Sequence, residues 1–226
     1  MNKTKKILLL MLCAALLVGA SVAGTVAYLT STQTVKNTFT VGQVGIELHE
    51  TNEKERPDGS VGLDLHLIPG KTVDKDPTVT VLKNSEACYV RMKVAVNEPT
   101  KLASAFEGLT YTGVHGNGLS YLTDEGVFNL HLIVDGWKEE DWAYTSYNNG
   151  VYEFRFVGEL ANNGVVPKNT DSNTVLPDLF TTITLPGAMT NTLIKNLEGV
   201  DIVVTAEAIQ ADTFADADTA WNAFGN

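Results

Sequence analysis

Cys88-Tyr89-Val90-Arg91-Met92-Lys93-Val94-Ala95-Val96 puts Val90, Met92, Val94 and Val96 on one side of an extended chain, with Tyr89, Arg91 and Lys93 on the other. A period of two is the signature of a half-buried strand, because successive side chains leave opposite faces of the pleat. The same rhythm recurs at Val44/Ile46/Leu48, Val79/Val81, Phe128/Leu130/Leu132/Val134, Tyr152/Phe154/Phe156, Ile183/Leu185 and Ile202/Val204/Ala206/Ala208. The intervening residues are largely polar: Glu47, Asn129, His131, Glu153, Arg155, Thr205 and Glu207. One wet and one dry face per strand is what two antiparallel sheets packed face to face require. The expectation is an all-β chain built as an antiparallel two-sheet β-sandwich.

Turn chemistry separates these strands. Arg56-Pro57-Asp58-Gly59, Pro69-Gly70, Asn97-Glu98-Pro99, Asn148-Asn149-Gly150, Asn162-Asn163-Gly164 and Pro186-Gly187 are all rich in residues that pre-set φ or tolerate positive φ. Asn148-Asn149-Gly150 joins Trp142–Tyr147 to Val151–Val157 as a hairpin. Helix is scarce: one turn at Lys101–Phe106, another at Asn191–Asn196, and a short helix at Asp216–Phe224 with Asp216 or Asp218 as its N-cap. No repeat or linker divides residues 28–226, so they read as one domain.

The N-terminus has a different character. Lys3, Lys5 and Lys6 precede the apolar run Ile7–Val18, and small residues follow from Gly19 to Ala27. Positive charge, a short apolar helix and a small-x-small triplet (Thr25-Val26-Ala27) make a secretory signal over residues 1–27, with cleavage between Ala27 and Tyr28. An uncleaved anchor is the rival reading, since no charge falls between Ile7 and Lys36. Gly19, Ser21, Gly24 and Thr25 weaken that helix. Cys13 follows Leu12 where a lipoprotein would need a small residue.

The whole chain carries a net charge of −11, and removal of residues 1–27 takes away three lysines and no acid. Such acidity argues against nucleic acid and anionic lipid as partners, because both need basic patches. Of the two cysteines only Cys88 would survive cleavage, so no intramolecular disulfide could form. Its place in the alternation makes Cys88 a small buried hydrophobe rather than a reactive thiol.

Catalytic patterns do not emerge. His49, His66, His115 and His131 form no His-Glu-x-x-His motif, and His49-Glu50 has no second His in reach. There is no Gly-x-Ser-x-Gly, and Gly113-Val114-His115-Gly116-Asn117-Gly118 reads as a surface loop rather than a phosphate cradle. The acids at 139–141 and at Asp212, Asp216 and Asp218 read as solvated surface. No cofactor is required; calcium is the ion left open, because Asp74-x-Asp76 and Asn169-x-Asp171-x-Asn173 offer hard oxygens without the Gly and Glu of an EF-hand. Trp137, Trp142, Tyr144, Tyr147 and Tyr152 read as core and hairpin packing, with sugar stacking as the alternative.

Three blocks carry a family resemblance. They are Gly24-Thr25-Val26-Ala27-Tyr28-Leu29-Thr30 followed by Asn37-Thr38-Phe39-Thr40-Val41-Gly42; Leu67–Pro77 running on to Val81–Arg91; and Val203–Asp212 with Ala220-Trp221. Together they resemble the TasA/camelysin family of secreted Gram-positive proteins, with Leu29 standing where that family usually has Phe. The resemblance implies a jelly-roll-like β-sandwich behind an N-terminal signal helix, cleavage by an ER-type (SipW-like) signal peptidase, and location outside the cell or on its surface. Contact with the membrane would end at cleavage. It also implies self-association into biofilm-matrix fibres by strand exchange; the missing catalytic patterns make a non-enzymatic chain the expectation. Residues 28–42 suit that role: Leu29, Thr30, Val35, Phe39 and Val41 belong to a β-prone, nearly uncharged segment able to complete an open sheet edge. The same segment also reads as the domain's own first strand. Two further readings stay open: a camelysin-like extracellular metalloprotease, and a monomeric cell-surface binding module.

Overall fold

A computed structural model describes residues 30–33, 43–51, 53–55, 61–62 and 67–224. Its strands run β1 (Thr30–Gln33), β2 (Ile46–His49), β3 (Lys54–Glu55), β4 (Val61–Gly62), β5 (Thr72–Asp74) and β6 (Thr78–Val81). They continue with β7 (Cys88–Val96), β8 (Thr110–Tyr111), β9 (Leu119–Ser120), β10 (Val134–Asp135), β11 (Trp142–Asn148) and β12 (Val151–Phe156). The last four are β13 (Val165–Val166), β14 (Thr174–Val175), β15 (Thr182–Thr184) and β16 (Ile202–Gln210). Helices α1 (Pro99–Ala105), α2 (Asn191–Lys195) and α3 (Ala217–Ala223) fall within two residues of the expected places, and Asp216 is the N-cap of α3. The chain is all-β in class, with every ladder antiparallel.

The principal sheet runs β1-β16-β7-β12-β11, with β13 taking up the β7 edge beyond β12. Two three-stranded sheets, β10-β15-β5 and β14-β6-β2, and two short ladders hold the remaining strands. A single hydrophobic core joins Val90, Met92 and Val94 of β7, Phe154 and Phe156 of β12 and Ala206 and Ala208 of β16 to Ile46, Val79, Val81 and Ile183 of the smaller sheets. The strand that decides the fold is therefore its centre. Met92 and Val94 are fully buried, and the nine residues of β7 pair with all nine of β16.

The hairpin forms as the turn chemistry requires. Asn149 and Gly150 both have positive φ (45° and 87°), the requirement of a two-residue turn whose twist matches its strands. A Cβ on Gly150 would also lie 2.7 Å from the Val96 carbonyl, so this position needs glycine twice over.

Two expectations fail. Residues 128–134 do not make a strand: Leu130–Leu132 form a 3-10 turn, closed by Leu132 N–H to the Asn129 carbonyl and Ile133 N–H to the Leu130 carbonyl. Leu130, Leu132, Ile133 and Val134 are all buried, and a strand would have turned Ile133 away from its neighbours toward the opposite face. The outer face of the principal sheet is not wet along its whole length either. Tyr89, Arg91 and Glu207 are buried, because α3 lies over them and forms a second small core of Tyr89, Ile209, Ala211, Ala220 and Trp221.

Candidate functional site

The edge of the principal sheet at β16 is where the N-terminal segment meets the domain. Thr30 pairs with Ile209, Ser31 with Ala208, Thr32 with Glu207 and Gln33 with Ala206. β16 is bonded to β7 along its whole length on one side, whereas β1 covers only Ala206–Ile209 on the other. Among the described residues no strand pairs with the Ile202–Thr205 part of that edge. Of the residues assigned to the assembly strand, Thr30 is the one the structure places. Leu29, Val35, Phe39 and Val41, and the cleavage pair Ala27 and Tyr28, lie outside the described residues.

Next to this edge, on the outer face, lies a network of charges. Arg91 donates through Nε to Glu207 Oε2 at 2.6 Å and through Nη1 to Glu153 Oε2 at 2.9 Å. Lys93 Nζ lies 3.0 Å from Glu207 Oε2. Arg155 reaches Glu153 Oε1 at 2.9 Å and closes on Asp218 at the start of α3. Strand register explains the set: Arg91 faces Glu207 on one side and Arg155 on the other, and Glu153 sits between the two guanidinium groups. Directly opposed like charges destabilise a ladder unless such a bridge is present.

Helix α3 caps the network. Asp216 accepts from the Thr219 N–H at 2.7 Å, which satisfies an orphan donor of the first turn and holds the Asp216 carboxyl below its ordinary range. The Trp221 ring then lies over the Arg91 guanidinium at 4.2 Å, and Phe224 is 5.1 Å from it. Beside the helix an open cleft of about 410 Å³ is lined by Tyr89, Thr145, Arg155, Asp216, Asp218 and Trp221. Trp221 Nε1 is buried with no hydrogen-bond partner among the described residues.

No family model, curated protein or solved structure matches the chain.

The remaining candidates are placed as follows. Cys88 is fully buried and burial pushes its thiol up to about 12, which removes the thiolate a nucleophile needs. His49 is exposed beside Glu53, with Nδ1 2.7 Å from Oε1. His66 lies outside the described residues. His115 and His131 come together, their ring centroids 6.0 Å apart. His131 is half-buried rather than on a solvated strand, and burial, with His115 beside it, lowers its pKa. Among the described residues no three His, Cys, Asp or Glu side chains gather where they could share a metal ion.

Three of the five calcium candidates already accept backbone hydrogen bonds. Asp76 Oδ1 accepts from the Thr51 N–H, Asn169 Oδ1 accepts from the Asp171 and Ser172 N–H groups, and Asn173 Oδ1 accepts from the Lys83 N–H. Trp142 is fully buried against Phe156 and donates to the Pro177 carbonyl, and Trp137 donates to the Trp142 carbonyl. Tyr147 packs at a tilt against Tyr152, whose hydroxyl donates to the Phe128 carbonyl. The aromatic set is thus packing, with only Tyr144 substantially exposed.

Sequence reasoning missed the Arg91–Glu207–Glu153 network by treating these residues as solvated. A signal was present: Ala220 and Trp221 make α3 apolar on one side, and an apolar helix face needs a surface to cover.

Proposed function

We propose that this chain is a secreted, non-enzymatic structural protein, a biofilm-matrix fibre subunit of the TasA/camelysin kind. In this reading an ER-type signal peptidase cuts between Ala27 and Tyr28. The freed segment then leaves its own sheet and completes the same edge of a neighbour. The observation that supports it is the pairing of Thr30–Gln33 with Ala206–Ile209 at the edge of the principal sheet. A strand held at an edge, close to a chain end, can be exchanged between copies without loss of any contact, because the neighbour's strand meets the same partners.

Charge and topology add two supports. An acidic surface keeps subunits apart until a specific contact forms. The Ile202–Thr205 edge, without a strand partner among the described residues, offers an incoming segment more ladder than β1 itself occupies. The finer architecture is read as a jelly-roll-like sandwich, supported by the core that the principal sheet shares with the two three-stranded sheets. Before cleavage the segment is tethered at the membrane, so proteolysis acts as the assembly switch.

The test is deletion of residues 28–35 from the cleaved chain. Light scattering should show it monomeric under conditions where the untruncated cleaved chain polymerises. Equal polymerisation of both would overturn the reading.

A further inference from the structure

The structure brings together two imidazoles that lie sixteen residues apart in the chain, His115 and His131, and nothing in the fold described above uses them. His115 sits in the turn between β8 and β9. That turn is closed on itself, with the Gly116 N–H bonded to the Gly113 carbonyl at 3.1 Å and the Gly118 N–H to the Tyr111 carbonyl at 2.8 Å. The Tyr111 ring, 5.7 Å from that of His115, is buried against Tyr121, which in turn packs on Phe106. His131 sits in the 3-10 turn, flanked by the buried anchors Leu130 and Leu132. Both rings are therefore carried on backbone that is hydrogen-bonded locally and anchored in the core, while His115 itself stays exposed.

We propose that His115 and His131 form a two-imidazole site for a nitrogen-preferring divalent transition-metal ion such as Zn²⁺ or Ni²⁺, with water completing the coordination sphere. Geometry carries the inference. With metal–nitrogen bonds of about 2.0–2.1 Å, two imidazoles on one tetrahedral ion have centroids roughly 5 Å apart, rising to about 6 Å as the angle opens. The observed 6.0 Å, with the ring planes 76° apart, is the wide end of that range. Ligand type sets the class: imidazole nitrogen suits zinc, copper and nickel, whereas calcium and magnesium demand oxygen. Among the described residues no third His, Cys, Asp or Glu gathers there, which makes the site a docking point for the ion rather than a closed structural centre.

The experiment is calorimetric titration of the full chain, purified without a polyhistidine tag, with Zn²⁺ alone and with Ni²⁺ alone. The expected result is saturable one-site binding, undisturbed by excess Ca²⁺, that weakens at least tenfold in His115→Ala and in His131→Gln and stays unchanged in His49→Ala. His115 is exposed, so its replacement leaves the fold intact, and His131→Gln keeps a polar side chain of similar length at the half-buried position. Absence of saturable binding would overturn the proposal. So would binding that survives His115→Ala, or binding that disappears with His49.

Discussion

The two faces of β7 teach different lessons about one strand. Val90, Met92 and Val94 point into a core shared by every major sheet, and their burial follows from alternation alone. Tyr89 and Arg91 alternate just as regularly, yet they are buried too, because α3 returns at the far end of the chain to cover them. The inner face is held by apolar packing, which is non-directional and tolerant. The outer face is held by charges and a stacked tryptophan, which work only when every partner is in place.

The sharpest way to separate the two faces is to remove one charge. Glu207→Ala leaves Arg91 buried with only Glu153 as a counter-ion, and chemical denaturation should show a loss of about 3–5 kcal/mol. The double change Arg91→Met with Glu207→Leu should recover most of that loss, since two apolar groups leave no buried charge unpaired. A double variant as unstable as the single would mean that the network stabilises the fold beyond its packing. On the inner face Met92→Ala removes a fully buried side chain, and denaturation should show about 2–5 kcal/mol with no rescue by a charge partner. Asp218→Asn breaks the pair of Arg155 with an acid whose side chain is 80% exposed, so its effect should stay below about 1 kcal/mol and shrink further in high salt.

Cys88 gives the inner face a pH signature. Its folded pKa is raised from 9.0 to about 12 by burial, so the thiol's contribution to stability is complete below about pH 9 and is lost as pH rises toward 12. Denaturation midpoints should therefore fall above pH 9, and in Cys88→Ala that part of the fall should vanish. An unchanged alkaline profile in the variant would show that the thiol is not the group responsible.

Legibility followed the range of the interactions. Strand periodicity, the Asn149-Gly150 turn and the Asp216 cap depend on neighbours in sequence, and each appears in the structure where local chemistry put it. The 128–134 segment was misread because Phe128, Leu130, Leu132 and Val134 fit a period of two while Ile133, equally buried, does not. A one-residue exception decides between strand and tight turn when only local pattern is counted. The charge network was hidden for a different reason. Arg91, Glu153 and Glu207 lie far apart in sequence, and only the ladder register makes them one cluster. The pairing of His115 with His131 was equally out of reach, since it needs two turns brought together by the aromatic core around Phe106 and Tyr121. At the N-terminal edge the segment's β-prone character was plain. Its partner, β16, was not, since alternation names strands and leaves their neighbours open.

The claim that the N-terminal strand passes between subunits is tested most directly by a disulfide trap at its docking register. Ser31 and Ala208 are Cα partners across the β1–β16 ladder, where antiparallel pairs lie about 4.5–5.5 Å apart and within reach of a disulfide. In Ser31→Cys/Ala208→Cys protein, assembled material oxidised and run on a non-reducing gel should give a ladder of cross-linked chains that collapses on reduction. Bridges found only within single chains, in material that has nonetheless polymerised, would contradict strand exchange and leave β1 as the domain's own first strand.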